Sequence, residues 1–343
     1  MSRTMQAAVL PELGAALELR EIPKPTPGPG EILVKLEVCG ICHTDLHTRE
    51  GHEPISGEAL PLVLGHEGIG RVIEHGSDSG ADLAEGTRVG VPWIHDTCGR
   101  CRQCLSGWES YCPSQRANGY DVDGAYSEFC IVQESFVVPV PETLDPVAAA
   151  PLLCAGVTAQ GAVRKAHLGP GSLCAVFGCG GLGQYGIQLA KLSGAMVAAV
   201  DTRPEKLAIA ESLGADHLLL ASEDPGRRLR ELGGADACIN FAPSPEAWDP
   251  IVEAINPRGW IVSVAMVSQP VPLSLRRLTF TGENITGTAV GGRQELSDVL
   301  ALGEAGSLSI DVQPVSLGEA DAALDRLRAG EVEGRSVIDL RRG

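Results

Sequence analysis

The segment Gly178-Cys-Gly-Gly-Leu-Gly183 constrains this chain more than any other feature. It fits the pattern G-x-G-x-x-G, follows an apolar run at Ser172–Phe177 that reads as a strand, and opens helical text at Leu182–Ser193. A second strand at Ala195–Val200 runs up to Asp201, which lies 23 positions after Gly178. In a chain with 42 glycines the pattern alone is weak, and the strand, loop, helix, strand context gives it force. There the first glycine permits a tight turn, the second lets backbone N–H groups approach a pyrophosphate, and the third lets the helix pack close to the sheet. An acid at Asp201 accepts hydrogen bonds from an adenosine ribose and repels a 2′-phosphate, so the pattern predicts NAD rather than NADP. Arg203, two positions on, complicates that choice because it could reach a 2′-phosphate, and a solvent-facing arginine is the preferred account.

The alternation continues with a helix at Pro204–Leu213, strands at His217–Leu220, Ala237–Phe241 and Trp260–Val264, and a helix at Pro245–Ile255. Repeated β-α-β units of this length predict a doubly wound parallel sheet with right-handed crossovers. The text before it differs. Residues 1–145 hold short apolar runs between turn residues, at Gln6–Leu10, Glu31–Val38, Gly68–Glu74, Arg88–Trp93 and Tyr126–Pro139, and read as predominantly β. Ala-rich helical text at Pro146–Ala166 marks the change. After Asn284 the expected elements are strands at Ile285–Val290 and Ser336–Leu340 and helices at Gln294–Glu304 and Gly318–Ala329. The expected class is therefore α/β, with a β-rich domain over 1–145, a Rossmann domain over 146–284, and a C-terminal segment over 285–343.

Composition removes several alternatives. At 343 residues the chain has room for two domains, and 44% hydrophobic with 21% charged residues is a globular balance, unlike disorder. The charge sum, 27 − 44 = −17, with no block of five like charges, argues against nucleic acid as a partner. No apolar run approaches a membrane span, and the N-terminal residues carry neither a secretion signal nor an anchor, so a cytoplasmic protein without a membrane partner is expected. With no secretory signal, the 11 cysteines point to metal before disulfides.

Cys98, Cys101, Cys104 and Cys112 are spaced C-x2-C-x2-C-x7-C, and four thiols within 15 residues can converge on one zinc without a large core around them. Iron–sulfur ligation is the competing metal reading, and the flanking text offers no second cluster. Four thiolates leave no open coordination position, so this zinc is expected to be structural. Cys42, His66 with Glu67, and Cys154 are scattered, and only a fold can gather them. Two thiolates and one imidazole around zinc sum to zero charge and leave a fourth position for substrate, with Asp45 suited to orienting His66 through the imidazole's other N–H. The competing account is buried structural cysteines and surface histidines.

The segments Cys-Gly-Ile-Cys-His-Thr-Asp-Leu-His (39–47), Leu-Pro-Leu-Val-Leu-Gly-His-Glu-Gly-Ile-Gly (60–70), the four-cysteine lobe, Cys-Ala-Gly-Val-Thr (154–158), the glycine loop and Gly-Arg-Ser-Val (334–337) closely resemble the zinc-dependent medium-chain alcohol dehydrogenases, most of all their shorter yeast-like branch. The likeness spans essentially the whole chain, in the family's order. It implies a GroES-like catalytic domain, completed by the C-terminal residues, beside a Rossmann cofactor domain. It further implies Cys42, His66 and Cys154 as catalytic zinc ligands, with Glu67 as a carboxylate able to approach the metal. Thr44 becomes the hydroxyl that meets the alcohol, and His47 the outer end of a proton relay. His43 and Arg335 match positions at the cofactor's phosphates, and Gly178, Gly180, Gly181, Leu182, Gly183, Asp201 and Lys206 complete the cofactor set. The same likeness implies two zinc ions per chain, NAD, a small alcohol or aldehyde substrate and a homo-oligomer, dimer or tetramer.

Trp93 matches a tryptophan that narrows the substrate pocket. A second pocket tryptophan of the yeast-like enzymes is replaced by Glu53, either a pocket residue or a solvent-facing one, in a loop about one residue longer. The expected function is reversible NAD-dependent oxidation of alcohols to aldehydes or ketones. The alternatives are an aldehyde or carbonyl reductase of the same fold, or an NAD-binding scaffold without turnover.

Overall fold

The computed structural model describes residues 3–52, 60–79 and 83–342. Two compact units emerge: Met1–Ala155 with Gly292–Gly343, and Gly156–Gly291. The expected boundaries, at 145/146 and 284/285, lie ten and seven residues ahead of these changeovers. The helical text that begins at Pro146 starts inside the first unit, where buried Leu153 packs against Gly90.

In the second unit six strands form one parallel sheet in the order His217–Leu220, Met196–Asp201, Leu173–Phe177, Ala235–Asn240, Ile255–Ser263 and Asn284–Gly287. Numbered along the chain this is 3-2-1-4-5-6, the doubly wound Rossmann order, which reverses direction between Leu173–Phe177 and Ala235–Asn240. Leu173–Phe177 is buried at every residue, which is why it reads as an unbroken apolar run. Leu173, Phe177, Val200, Leu229 and Ile261 belong to the core beneath it. Helices Gly181–Leu192, Pro204–Ser212, Pro225–Glu231 and Trp248–Ala254 supply the crossovers.

The first unit is built on the strand Glu31–Gly40. It pairs antiparallel with Gly68–His75, with Phe129–Gln133 and with the chain's last strand, Arg335–Asp339, so the C-terminal residues complete the sheet started near the N-terminus. The registers Cys39↔Gly68 and Val337↔Gly40 bring the ends of three distant segments to one place. Bulges at Leu33/Val34 and Leu36/Val38 bend the strand on the way.

Several elements depart from expectation. The run expected at Arg88–Trp93 ends as a strand at Val91, since Pro92 has no N–H to donate. Tyr126–Pro139 is two short strands, Phe129–Gln133 and Val138–Pro139, separated by a 3-10 turn at Glu134–Phe136. His43–Glu50 is a helix: its sequence His-Thr-Asp-Leu-His-Thr-Arg-Glu has a single aliphatic residue and shows no apolar stripe. Pro225–Glu231, Leu275–Thr281 and Val312–Val315 are further elements without a sequence signal strong enough to announce them.

Candidate active site and metal groups

Cys42 stands at the N-cap of the helix His43–Glu50, just beyond the strand Glu31–Gly40. Its backbone N–H donates to Asp45 Oδ2 at 2.9 Å, which closes the first helical turn back on the cap. The register with Gly68–His75 sets His66 and Glu67 alongside, and Cys154 enters from the turn after Ala150–Leu153. One ligand atom from each of Cys42, His66, Glu67 and Cys154 lies within 4.8 Å of the others, and the two sulfurs are 3.8 Å apart.

Burial and charge make this a demanding place. Hydrogen bonding from Cys154 holds the Cys42 thiol well below its usual pKa against the opposing effect of burial, with His66 and Arg335 assisting; the Cys154 thiol is pushed well up in consequence. Burial by itself lowers the His66 pKa, but Asp45 and Cys42 outweigh it and raise it well above the ordinary imidazole value. His66 Nδ1 is 3.1 Å from Asp45 Oδ1, in ion-pair range, but neither Nδ1 nor Nε2 makes a hydrogen bond among the described residues. An orphaned buried imidazole nitrogen beside two thiols is the donor set zinc takes, so the residues fit that metal.

Glu67 is fully buried, and a Cβ at Gly40 would overlap its carboxylate, so that position requires glycine. One Glu67 oxygen pairs with Arg335 and the other has no partner; burial first, moderated by Arg335, pushes its pKa up to about 7. Arg335, 5% exposed, thus lies inside the first unit against Glu67. Thr44 Oγ1 is 3.7 Å from Cys42 Sγ. His43 and His47 share the helix, their ring centroids 6.3 Å apart, and His43 is exposed while His47 is half-buried. The Trp93 ring meets His66 edge-on at 5.0 Å. Tyr126, fully buried, donates its hydroxyl to Asp45 at 2.9 Å, a contact with no sequence signal beyond the residue's place in an apolar run. Glu53 lies outside the described residues.

Cys98, Cys101, Cys104 and Cys112 form the second group. Backbone N–H groups of Cys101 and Cys104 donate to the sulfurs of Cys98 and Cys101 at 3.3 and 3.5 Å, and that of Ser114 to Cys112 at 3.4 Å. Such bonds favour thiolate, and those from Arg100 and Cys101 pull the Cys98 pKa down to about 6. Four thiol ligands with no fifth group among them fit a closed zinc site.

In the second unit Gly178 has φ +89°, and a Cβ there would press on Ala242, while a Cβ at Gly183 would overlap the Gly178 carbonyl. A Cβ at Gly180 would meet nothing: the space above it is open. The helix Gly181–Leu192 starts there without a side-chain cap, which leaves its first N–H groups for an anion. Asp201 accepts from Cys179 N at 2.7 Å and Arg203 N at 3.0 Å, so its carboxylate is held at the loop. Lys206 is buried in the following helix. These features fit a dinucleotide.

A GroES-type unit with a two-thiol, one-imidazole metal group and a four-cysteine lobe, followed by a Rossmann unit, defines a zinc-binding medium-chain dehydrogenase. Residues 28–142 match the alcohol dehydrogenase GroES-like domain and residues 181–305 the zinc-binding dehydrogenase domain. An alcohol dehydrogenase of Geobacillus stearothermophilus is 38% identical over 98% of this chain and 99% of its own. The alcohol dehydrogenase of Aeropyrum pernix superposes with a TM-score of 0.89 at 32% identity, over 97% of this chain and 99% of that one. A zinc-binding dehydrogenase of Sinorhizobium meliloti 1021, solved with NADP, has a TM-score of 0.89 at 28% identity, over 98% and 100%. The chain belongs to the zinc-binding alcohol dehydrogenase family of the medium-chain dehydrogenase/reductase superfamily, and it is an oxidoreductase.

Proposed function

We propose that the protein interconverts alcohols with aldehydes or ketones using NAD, with one zinc held by Cys42, His66 and Cys154 and a second by Cys98, Cys101, Cys104 and Cys112. The observation that carries this reading is the convergence of two thiols and an orphaned imidazole nitrogen beside the Thr44 hydroxyl. Bound zinc supplies a Lewis acid for the substrate oxygen, and bound NAD the hydride acceptor. Thr44 would take up the substrate's hydroxyl proton as it gives up its own, and His47, half-buried on the next turn, would hand a proton on to solvent. Asp45 orients His66, Trp93 limits the space beside it, and Glu67 stands by as a carboxylate with one free oxygen. Gly178, Gly180, Gly181, Leu182 and Gly183 cradle the pyrophosphate, Asp201 takes the ribose hydroxyls, Lys206 adds positive charge, and His43 and Arg335 are the residues assigned to the cofactor's phosphates.

A homo-oligomer is part of the reading. The strand Asn284–Gly287 pairs on one side only among the described residues, and Leu275 and Phe280, 73% and 78% exposed, lie on the helix just before it. No single described helix is long and apolar enough to cross a membrane, which is in keeping with a cytoplasmic enzyme. The test is NADH formation at 340 nm across primary, secondary, aromatic and polyol alcohols. No turnover with any of them by zinc-replete protein, alongside tight NAD binding, would favour a scaffold instead.

A further inference from the structure

Asp45 is 1% exposed, and four groups that can donate surround its carboxylate, two facing each oxygen, three of them hydrogen-bonded to it. Gly65 N–H, at 3.2 Å, and His66 Nδ1, at 3.1 Å, face Oδ1; Cys42 N–H and the Tyr126 hydroxyl, both at 2.9 Å, donate to Oδ2. A carboxylate offers about four lone-pair directions; three are taken by hydrogen bonds and the last faces the imidazole. Three of those donors belong to the metal ligands or the residue beside one. Only the fourth comes from elsewhere in the chain.

We propose that Tyr126 is a positioning residue for the metal ligand His66, acting through Asp45. The inference rests on reading Cys42, His66 and Cys154 as a zinc site. Tyr126 is fully buried, and its ring lies against Gly65, where an added Cβ would overlap it. Its N–H donates to the Leu64 carbonyl at 2.8 Å, so backbone and ring together brace the segment that presents His66. A phenylalanine would fill the same space, and packing does not call for the hydroxyl. Burial and the Asp45 charge raise the Tyr126 pKa well above the usual phenol value, which keeps the hydroxyl protonated and donating. Without it one lone pair of a buried carboxylate is left unpaired, Asp45 is free to turn, and the imidazole that it holds towards the metal loses its outer support.

The test compares zinc release to a chromophoric chelator from the zinc-loaded full chain and from Tyr126→Phe, with Cys154→Ala showing which phase belongs to which zinc. The expected result is release about tenfold faster from the Cys42, His66 and Cys154 group, with release from the four-cysteine group unchanged. In an Asp45→Ala background, Tyr126→Phe should add nothing further. Equal release with and without the hydroxyl overturns the proposal, as does equal acceleration at both groups, which would mean general loosening, or full acceleration in the Asp45→Ala background. Zinc content that Cys154→Ala leaves unchanged overturns the underlying zinc reading itself, and is told apart from the other outcomes by being visible before Tyr126 is touched.

Discussion

Glu67 and Arg335 form a buried ion pair across 268 positions of sequence, joining the turn that carries His66, just before the strand Gly68–His75, to the last described strand. Its partner's charge does not fully offset burial, and the Glu67 pKa is raised from 4.5 to about 7. A carboxyl raised on folding binds its proton more tightly in the native state, so its contribution favours folding below about pH 4.5 and is lost as pH climbs to about 7. Denaturant titrations of metal-depleted protein should therefore show wild type losing on the order of 3 kcal/mol more than Glu67→Gln across that window. Parallel pH profiles would mean that Glu67 is ionised throughout. Arg335→Ala, which removes the charge that moderates burial, should raise the Glu67 pKa further and move this loss of stability to higher pH.

Metal content gives the second prediction. Fresh active protein should hold two zinc ions per chain. Cys104→Ala should lower thermal stability, because a closed thiolate site contributes folding energy, whereas Cys154→Ala should stay folded and lose activity. One zinc or fewer in active wild type, by elemental analysis, contradicts this.

Cofactor choice gives the third. With both Asp201 oxygens held by the backbone of Cys179 and Arg203, the carboxylate cannot swing clear of a 2′-phosphate. NAD should exceed NADP by about one to two orders of magnitude in kcat/KM, and Asp201→Ala should narrow the gap. Equal efficiency with both cofactors in the unmodified enzyme would show that Asp201 does not meet the ribose.

The proton path gives the fourth. His47→Gln should slow alcohol oxidation about tenfold to a hundredfold near neutral pH, recover as hydroxide replaces the missing base, and respond to small amine buffers. Thr44→Ala should be worse and Thr44→Ser active. The measurement is the pH dependence of oxidation where NADH release is not limiting; superimposable profiles without buffer rescue would remove His47 from the path.

Local features were legible in the chain itself. The glycine loop lies between its strand and helix within a few residues, and the four-cysteine group closes within 15, so short-range geometry alone determines both. Strands such as Met196–Asp201 and Leu173–Phe177 announce themselves because burial on a sheet selects apolar residues along one short stretch. The helix His43–Glu50 does not, because its packing uses Leu46 together with polar residues, among them Arg49 bound to Asp321 and Asp325 at 2.7 Å. Those partners lie near the other end of the chain, and no local period records them.

Only the tertiary structure decided the rest of the site. The sulfurs of Cys42 and Cys154 are 112 positions apart in sequence and 3.8 Å apart in space, brought together by strand register and by a turn that packs on the first unit. Tyr126 donating to Asp45, Gly40 making room for Glu67, and Arg335 pairing with it are equally products of register between distant strands. Sequence specifies such contacts only through the sum of the fold's burial and pairing energies. Residue types and spacing therefore determined which chemistry the chain can host, while side-chain convergence across the sheet determined which residues carry it.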